Sequence, residues 1–391
     1  MKKIKPQSDT LLVLCAATFG GPTSSAINLL YLFSKENKAF DVFLMDHEGN
    51  RTADMAKWGN LLPRIPLLAD SITDKKNLKT PMQYLRRVLF VVSRKLFGTE
   101  RARGLLYKRA ARYLNRKYKN VIAYQESVTS DFVRYIDAPN RISWMHTDYD
   151  KLCSLSPRMA SREVYDLYHH ITSVTRASAD RMKGALGRDS DTVHVIQNPL
   201  IPEVIIERAN EPVPCSEQRK KPFLMVSVGR LSGEKAFHRI PEIAKQIKDY
   251  GIKFDWYIIG DGATRKQIED AIDVTGTADV VHLLGSKSNP YPYMRMADVL
   301  VITSEYEAQP MVANEALILG KPVISTEFAS IREVINDGVN GIIASQSIEE
   351  ICGVLVRVIN DDELRFKLTK TAEKFEYDND YIVRAVDSLL I

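Results

Sequence analysis

The chain has 391 residues, 45% hydrophobic and 26% charged, which is ordinary globular usage and enough for two or three domains with their own cores. Four cysteines, at 15, 153, 215 and 352, form no CxxC and no regular spacing, against a disulfide framework or zinc site and for a reducing compartment; no run approaches eighteen apolar residues, so no membrane span is expected. The net charge of +5 conceals an asymmetry, because fifteen Lys or Arg stand against one acid, Glu100, between Lys75 and Lys119, leaving the remainder acidic.

The first residues are charged and then apolar, with the outline of a secretory leader, but the apolar run at 11–17 is short and ends at a glycine loop. It reads as a first β-strand. Gly20 and Gly21 then open a helical pattern over 22–35. Glycines there permit close approach to a phosphate or sugar, or simply make a βα turn. The pattern is not GxGxxG, so a dinucleotide is not expected. Strands are predicted next at 41–46, 121–125, 142–146, 171–175 and 193–198, all short apolar runs suited to buried parallel strands.

Within the basic stretch, Leu85, Val88, Leu89, Val92, Leu96 and Phe97 fall on one helical face, with arginines and lysines around it. Such a helix suits an anionic membrane surface. The alternatives are a core-facing helix with solvated cations, and nucleic-acid binding, for which no recognised module is present. His146 ends a predicted strand; a lone histidine there is more often structural. His169 and His170 have no acid or cysteine at ligand spacing, so no metal site is expected. Asn198-Pro199 reads as a structural turn. Residues 200–221, with Pro202, Pro212, Pro214, Pro222 following and many charges, have linker composition.

The second half repeats the pattern, with strands predicted at 223–229, 253–260, 280–285, 298–304, 322–326 and 341–344. Alternation with helical segments implies doubly wound sheets. Gly229 and Arg230 follow the first of these strands and Lys235 lies in the same loop. That is where open α/β sheets take ligands, though two solvated loop cations would look the same. Gly260-Asp261-Gly262 follows the next strand. Asn289-Pro290-Tyr291-Pro292-Tyr293 reads as a proline-stiffened loop whose tyrosines either stack on a ligand or pack. Then comes SEYEAQPMVANEALILG, residues 304–320: a tight loop and a helix start, with Pro310 suited to the first turn. Its amides and dipole favour a phosphate. Glu307 sits in the loop. Glu315 lies about one and a half turns into the helix, where a carboxylate accepts hydrogen bonds from a vicinal diol such as ribose.

Glu307 and Glu315 with their surroundings over 281–343 resemble the Glu-x7-Glu core of the retaining GT-B glycosyltransferases of glycosyltransferase family four, of the bacterial cell-envelope and capsular polysaccharide type. The resemblance implies an α/β fold of two Rossmann-like domains with parallel sheets facing a central cleft. An acceptor-binding domain would cover 1–200 and a nucleotide-sugar domain 201–373, with a last helix, 374–391, crossing back to the first domain. It implies a hexosyl- or N-acetylhexosaminyltransferase using a UDP-linked sugar without a metal. The acceptor would be a lipid-linked or envelope glycan, or alternatively a soluble or protein acceptor. The expected location is cytoplasmic, peripheral at the inner face of the plasma membrane, held there by residues 75–119, with no nucleic acid partner.

By the same resemblance, Arg230 and Lys235 take the diphosphate, His146 and Glu307 the donor sugar, and Glu315 the ribose. Gly20, Gly21, Gly229, Gly260, Gly262, Asn289, Tyr291, Gln309, Pro310, Met311 and Val312 line the donor. Asp148-Tyr149-Asp150 spells DxD, the metal motif of the other glycosyltransferase fold; it is set aside here, and Asp148 is assigned to the acceptor. Two departures stand out. The family's Lys-Gly is Lys235-Ala236, and its Glu-Gly is Glu307-Ala308 followed by Gln309, which leaves the donor sugar open.

Overall fold

A computed structural model describes residues 7–18, 20–46, 49–72, 78–115 and 117–391. The chain divides into two compact units, residues 1–199 with 379–391, and residues 200–378.

The first unit holds seven parallel strands: β1 (Thr10–Leu14), β2 (Asp41–Leu44), β3 (Asn60–Leu61), β4 (Asn120–Ala123), β5 (Asn140–Met145), β6 (His170–Ser173) and β7 (Val193–Val195). Their order is β3-β2-β1-β4-β5-β6-β7. β1 pairs with β2 on one side (Leu11 opposite Asp41) and with β4 on the other (Thr10 opposite Asn120). The order reverses between β1 and β4, a topological switch point where the strands' carboxyl ends leave a crevice. The helix Asn379–Asp387 packs on the helix Gly21–Lys35 of this unit. Beyond it, Asn140 Nδ2 donates to the Leu389 carbonyl at 2.6 Å, and the Ile391 amide donates to Asn120 Oδ1 at 3.0 Å.

The second unit holds β8 (Phe223–Val228), β9 (Phe254–Ile259), β10 (Val281–Gly285), β11 (Val299–Ile302), β12 (Val323–Thr326) and β13 (Gly341–Ala344). They form a parallel sheet of order β10-β9-β8-β11-β12-β13, with its switch between β8 and β11. Both faces are buried, as an all-parallel sheet requires. Along β8, Phe223 and Met225 enter one core with Ile243, Ile247 and Leu355, while Leu224 and Val226 enter the other with Leu300 and Leu317. This is why the strands read as continuous apolar runs rather than as alternating ones.

Two expectations need correction. Residues 200–221 are not a bare linker: they contain the helix Pro202–Arg208, with Ile205 buried, and Glu217, which takes the Lys287 ammonium at 2.7 Å and the Tyr293 hydroxyl. Proline marks this segment because Pro202 starts its helix. The stretch 289–293 is a loop only to Pro290, after which Tyr291–Met296 is a helix with Pro292 in its first turn. Among the described residues, no helix is long and apolar enough to cross a membrane.

Candidate active site

The loops after β8 and β11 adjoin at the second unit's switch point. Thr303 Oγ1 donates to the Lys235 carbonyl at 2.9 Å, and the Glu305 amide to the Glu234 carbonyl at 2.9 Å. These backbone ties bring Lys235 and Glu307 together. Lys235 Nζ lies 2.8 Å from Glu307 Oε2, and both side chains are mostly buried. Glu307 Oε1 accepts from Ser304 Oγ at 2.7 Å, and its carbonyl accepts from Ser330 Oγ at 2.7 Å. The cation expected on a diphosphate and the acid expected on a sugar are therefore each other's partners. Arg230 is exposed and makes no ion pair among the described residues, which leaves its guanidinium for an anion.

Ala236, next to Lys235, has φ 50° and is fully buried. A left-handed backbone favours glycine, so the departure at this position falls where an L side chain is strained.

Gly260 and Gly262, expected to line the donor, have a backbone reason of their own. Gly260 has φ 153°, and a Cβ on it would lie 1.8 Å from the Gly229 carbonyl oxygen; one on Gly262 would lie 2.3 Å from the Leu231 carbonyl oxygen. The crossing of these two loops demands glycine whether or not a ligand is present.

Pro310 caps the helix Met311–Ile318 rather than lying within it. Met311 and Val312 open that helix, where amides have no intrahelical partner; the Met311 amide reaches back to the Gln309 carbonyl at 2.9 Å. Gln309 is buried, its amide 3.3 Å from the Tyr377 hydroxyl, and so it belongs to the packing of the loop. Glu315 Oε1 accepts from the Tyr291 hydroxyl at 3.0 Å. Burial pushes the Glu315 carboxyl up to about 7, opposed by the Tyr291 hydrogen bond and by the charges of Lys235 and Arg208. Arg208 stands 5.6 Å over the Tyr291 ring, and Asn289 Nδ2 donates to the Arg208 carbonyl at 2.8 Å. Asn289 thus fastens the helix Pro202–Arg208 beside Tyr291.

Sequence reasoning missed Ser304, Ser330 and Arg208, and also Gln346. Gln346 Nε2 donates to the Ser304 and Glu327 carbonyls at 3.1 and 2.7 Å, and its Oε1 accepts from Arg239 at 2.7 Å. Its one signal is position, two residues beyond the end of β13.

The first unit's candidates lie at the carboxyl ends of its own strands. Gly20 has φ 153° and precedes the helix Gly21–Lys35; Phe19 lies outside the described residues. His146 follows β5. Its backbone amide donates to Glu126 Oε2 at 2.9 Å, and Glu126 also takes the Thr147 hydroxyl. The imidazole packs 4.8 Å from the Tyr124 ring and stacks at 6.2 Å on Trp144. Burial holds its pKa below the usual histidine value, with Glu126 opposing, so it is neutral at neutral pH. Glu126 went unremarked in the sequence, although an acid just past a strand end is a signal. The DxD acids are otherwise engaged: Asp148 caps the helix Tyr149–Leu155 through the Lys151 amide, and Asp150 pairs with Arg181. His169 accepts from the Arg141 amide at 3.1 Å, and His170 lies 3.0 Å from His194.

Residues 214–375 match the family described as "Glycosyl transferases group 1". That match lies wholly within the second unit. Among curated relatives, an uncharacterized glycosyltransferase of Methanocaldococcus jannaschii is 35% identical over 132 residues, covering 33% of this chain and 37% of its own. A putative colanic acid biosynthesis glycosyltransferase, WcaL of Salmonella typhimurium, is 28% identical over 182 residues, covering 43% and 45%. The chain thus spans less than half the length of these relatives. Among solved structures, HepE of Anabaena in complex with UDP and glucose aligns with TM-score 0.72 at 15% identity, over 98% of this chain and 99% of that one. At that identity the likeness shows the fold, two Rossmann-like parallel-sheet domains of the GT-B kind.

Proposed function

We propose that the chain is a retaining glycosyltransferase. It moves a hexosyl or N-acetylhexosaminyl group from a UDP-linked sugar to a lipid-linked or cell-envelope glycan, at the cytoplasmic face of the membrane. The observation that carries this reading is the Lys235–Glu307 pair, held at the switch point of the sheet beside Glu315 and inside the segment that matches the group 1 family. Donor binding trades the Lys235–Glu307 contact for contacts to diphosphate and sugar. Arg230 and Lys235 then face the charge that grows on the diphosphate as the glycosidic bond breaks, where fixed cations contribute most. These cations and the amides of Met311 and Val312 supply the positive charge, so no metal is called for. Glu307 orients the sugar, and Glu315 accepts the ribose hydroxyls. The departing phosphate takes the acceptor proton on the same face, which retains configuration. His146 and the Gly20–Gly21 turn are the first unit's contribution to sugar and acceptor binding. The UDP-bound neighbour supports the nucleotide, and the polysaccharide-biosynthesis relative supports a glycan acceptor.

A thermal-shift panel of nucleotide sugars tests the reading, with wild type compared with Glu315→Ala and Arg230→Ala. A donor at a hundredfold excess over its dissociation constant stabilises the chain by about 2.7 kcal/mol. The expected result is stabilisation by one nucleotide sugar, lost in both variants. Folded protein that no nucleotide or nucleotide sugar stabilises would overturn the enzyme reading.

A further inference from the structure

The helix Pro81–Phe97 has no buried residue. Its apolar face, expected either in a core or at a membrane, lies in solvent: Leu85, Val88, Leu89 and Leu96 are 50%, 54%, 60% and 70% exposed. Core packing is thereby excluded for that face. Residues 73–77 and 116 of the basic stretch lie outside the described residues. Under this helix, where it meets the helix Thr99–Ala111, is a cavity of about 290 Å³. It is walled by Leu89, Phe90, Phe97 and Leu105, with Arg86 and Arg109 among its lining. Apolar cavities half this size hold small hydrocarbons, and pockets that bind ligands begin at about 300 Å³.

Charge selects the occupant. Glu100 is the one acid among residues 75–119, and it is taken up by Arg103 at 2.7 Å and by Arg158. Arg86 is held by the buried Asp70 at 2.6 Å, which Arg64 also pairs. Arg94, Lys95, Lys108 and Arg109 are exposed and make no ion pair among the described residues. Two such surfaces repel, which disfavours a second copy of the chain, whereas an anionic headgroup above a hydrocarbon chain fits both the rim and the cavity.

We propose that this cavity takes a hydrocarbon segment of an anionic membrane phospholipid, with the lipid phosphate on Arg109 and its neighbours. The inference deepens the membrane-surface part of the function proposed above and rests on it. Unlike a charged face alone, the cavity makes binding depend on chain length. Calorimetry with dodecyl phosphate and butyl phosphate, below micelle formation, separates the two. Saturable binding of the dodecyl ester is expected, weakened at least about tenfold, a loss of about 1.4 kcal/mol, in Ser93→Trp, which fills the cavity, and in Leu105→Asp, at its exposed mouth. Wild type should float with phosphatidylglycerol vesicles, and the variants should float less. Butyl phosphate binding as tightly as dodecyl phosphate, or variants that bind like wild type, would overturn the cavity. Leu105→Asp decides the matter if Ser93→Trp fails to fold. Nucleotide-sugar stabilisation of the same variants is read separately and should be unchanged. Wild type that a nucleotide sugar stabilises but that does not bind dodecyl phosphate refutes only the cavity, and wild type that binds dodecyl phosphate but that no nucleotide sugar stabilises refutes only the enzyme reading.

Discussion

The Lys235–Glu307 contact sets what substitutions at each position should do. In Lys235→Ala a mostly buried carboxylate loses its cation, and such orphaned charges destabilise by roughly 3 kcal/mol; a drop in thermal midpoint without ligand checks this. Glu307→Gln leaves a neutral amide that still accepts from Ser304 and should cost less stability. In the proposed reaction it should still lower turnover by on the order of 10²-fold. Glu315 makes a pH-dependent prediction. Its folded pKa, about 7, exceeds the ordinary carboxylate value of 4.5, so the folded chain holds that proton more tightly. The stability this contributes is full below 4.5 and is lost as pH rises through about 7. The midpoint of Glu315→Gln relative to wild type should therefore climb between pH 4.5 and 7 and level off above. Donor affinity of wild type should rise over the same interval, because ribose hydroxyls donate better to the ionised form. The sequence placed both acids on the correct segments, a loop and the helix after it. It did not reveal that Glu307 pairs with Lys235 or that Glu315 pairs with Tyr291, because these contacts depend on loops distant in sequence meeting across a sheet.

At the scale of elements, the strands were the most legible part, since a run buried on both faces is apolar throughout. The two-residue β3 escaped because Asn60–Leu61 carries no run at all. The glycines were legible as special but not in their purpose. Gly260→Ala should destabilise the second unit by about 2–4 kcal/mol and abolish donor binding, since the loop after β9 must move away from the Gly229 carbonyl. Denaturant midpoints and donor titration would register both effects. Ala236 runs the other way. With φ 50°, Ala236→Gly relieves a left-handed alanine and should stabilise the chain by about 0.5–1 kcal/mol after the added freedom of the unfolded state is counted. The helix Pro81–Phe97 shows where pattern reading stops: an apolar stripe gives the same sequence signal whether a core or a solvent-facing patch lies beside it.

Across the whole molecule, the second unit is one uninterrupted stretch, residues 200–378, while the first is assembled from both ends of the chain. Asn120 and Asn140, at the starts of β4 and β5, find partners in Leu389 and Ile391. Removing 379–391 should strip those buried amides of their Leu389 and Ile391 partners, leaving them the Asn140–Asn120 and Asn120–Thr10 bonds, and uncover the helix Gly21–Lys35, lowering the first unit's unfolding midpoint while sparing the second. Hydrogen exchange resolved by segment would show protection lost in β1, β4 and β5 alone. The same arrangement inverts the usual order in which a nascent chain matures. Domains generally complete from the N-terminus during synthesis, but here the later-translated unit has all its residues in hand first. The earlier one waits, its strands already synthesised, for residues 379–391 to leave the ribosome.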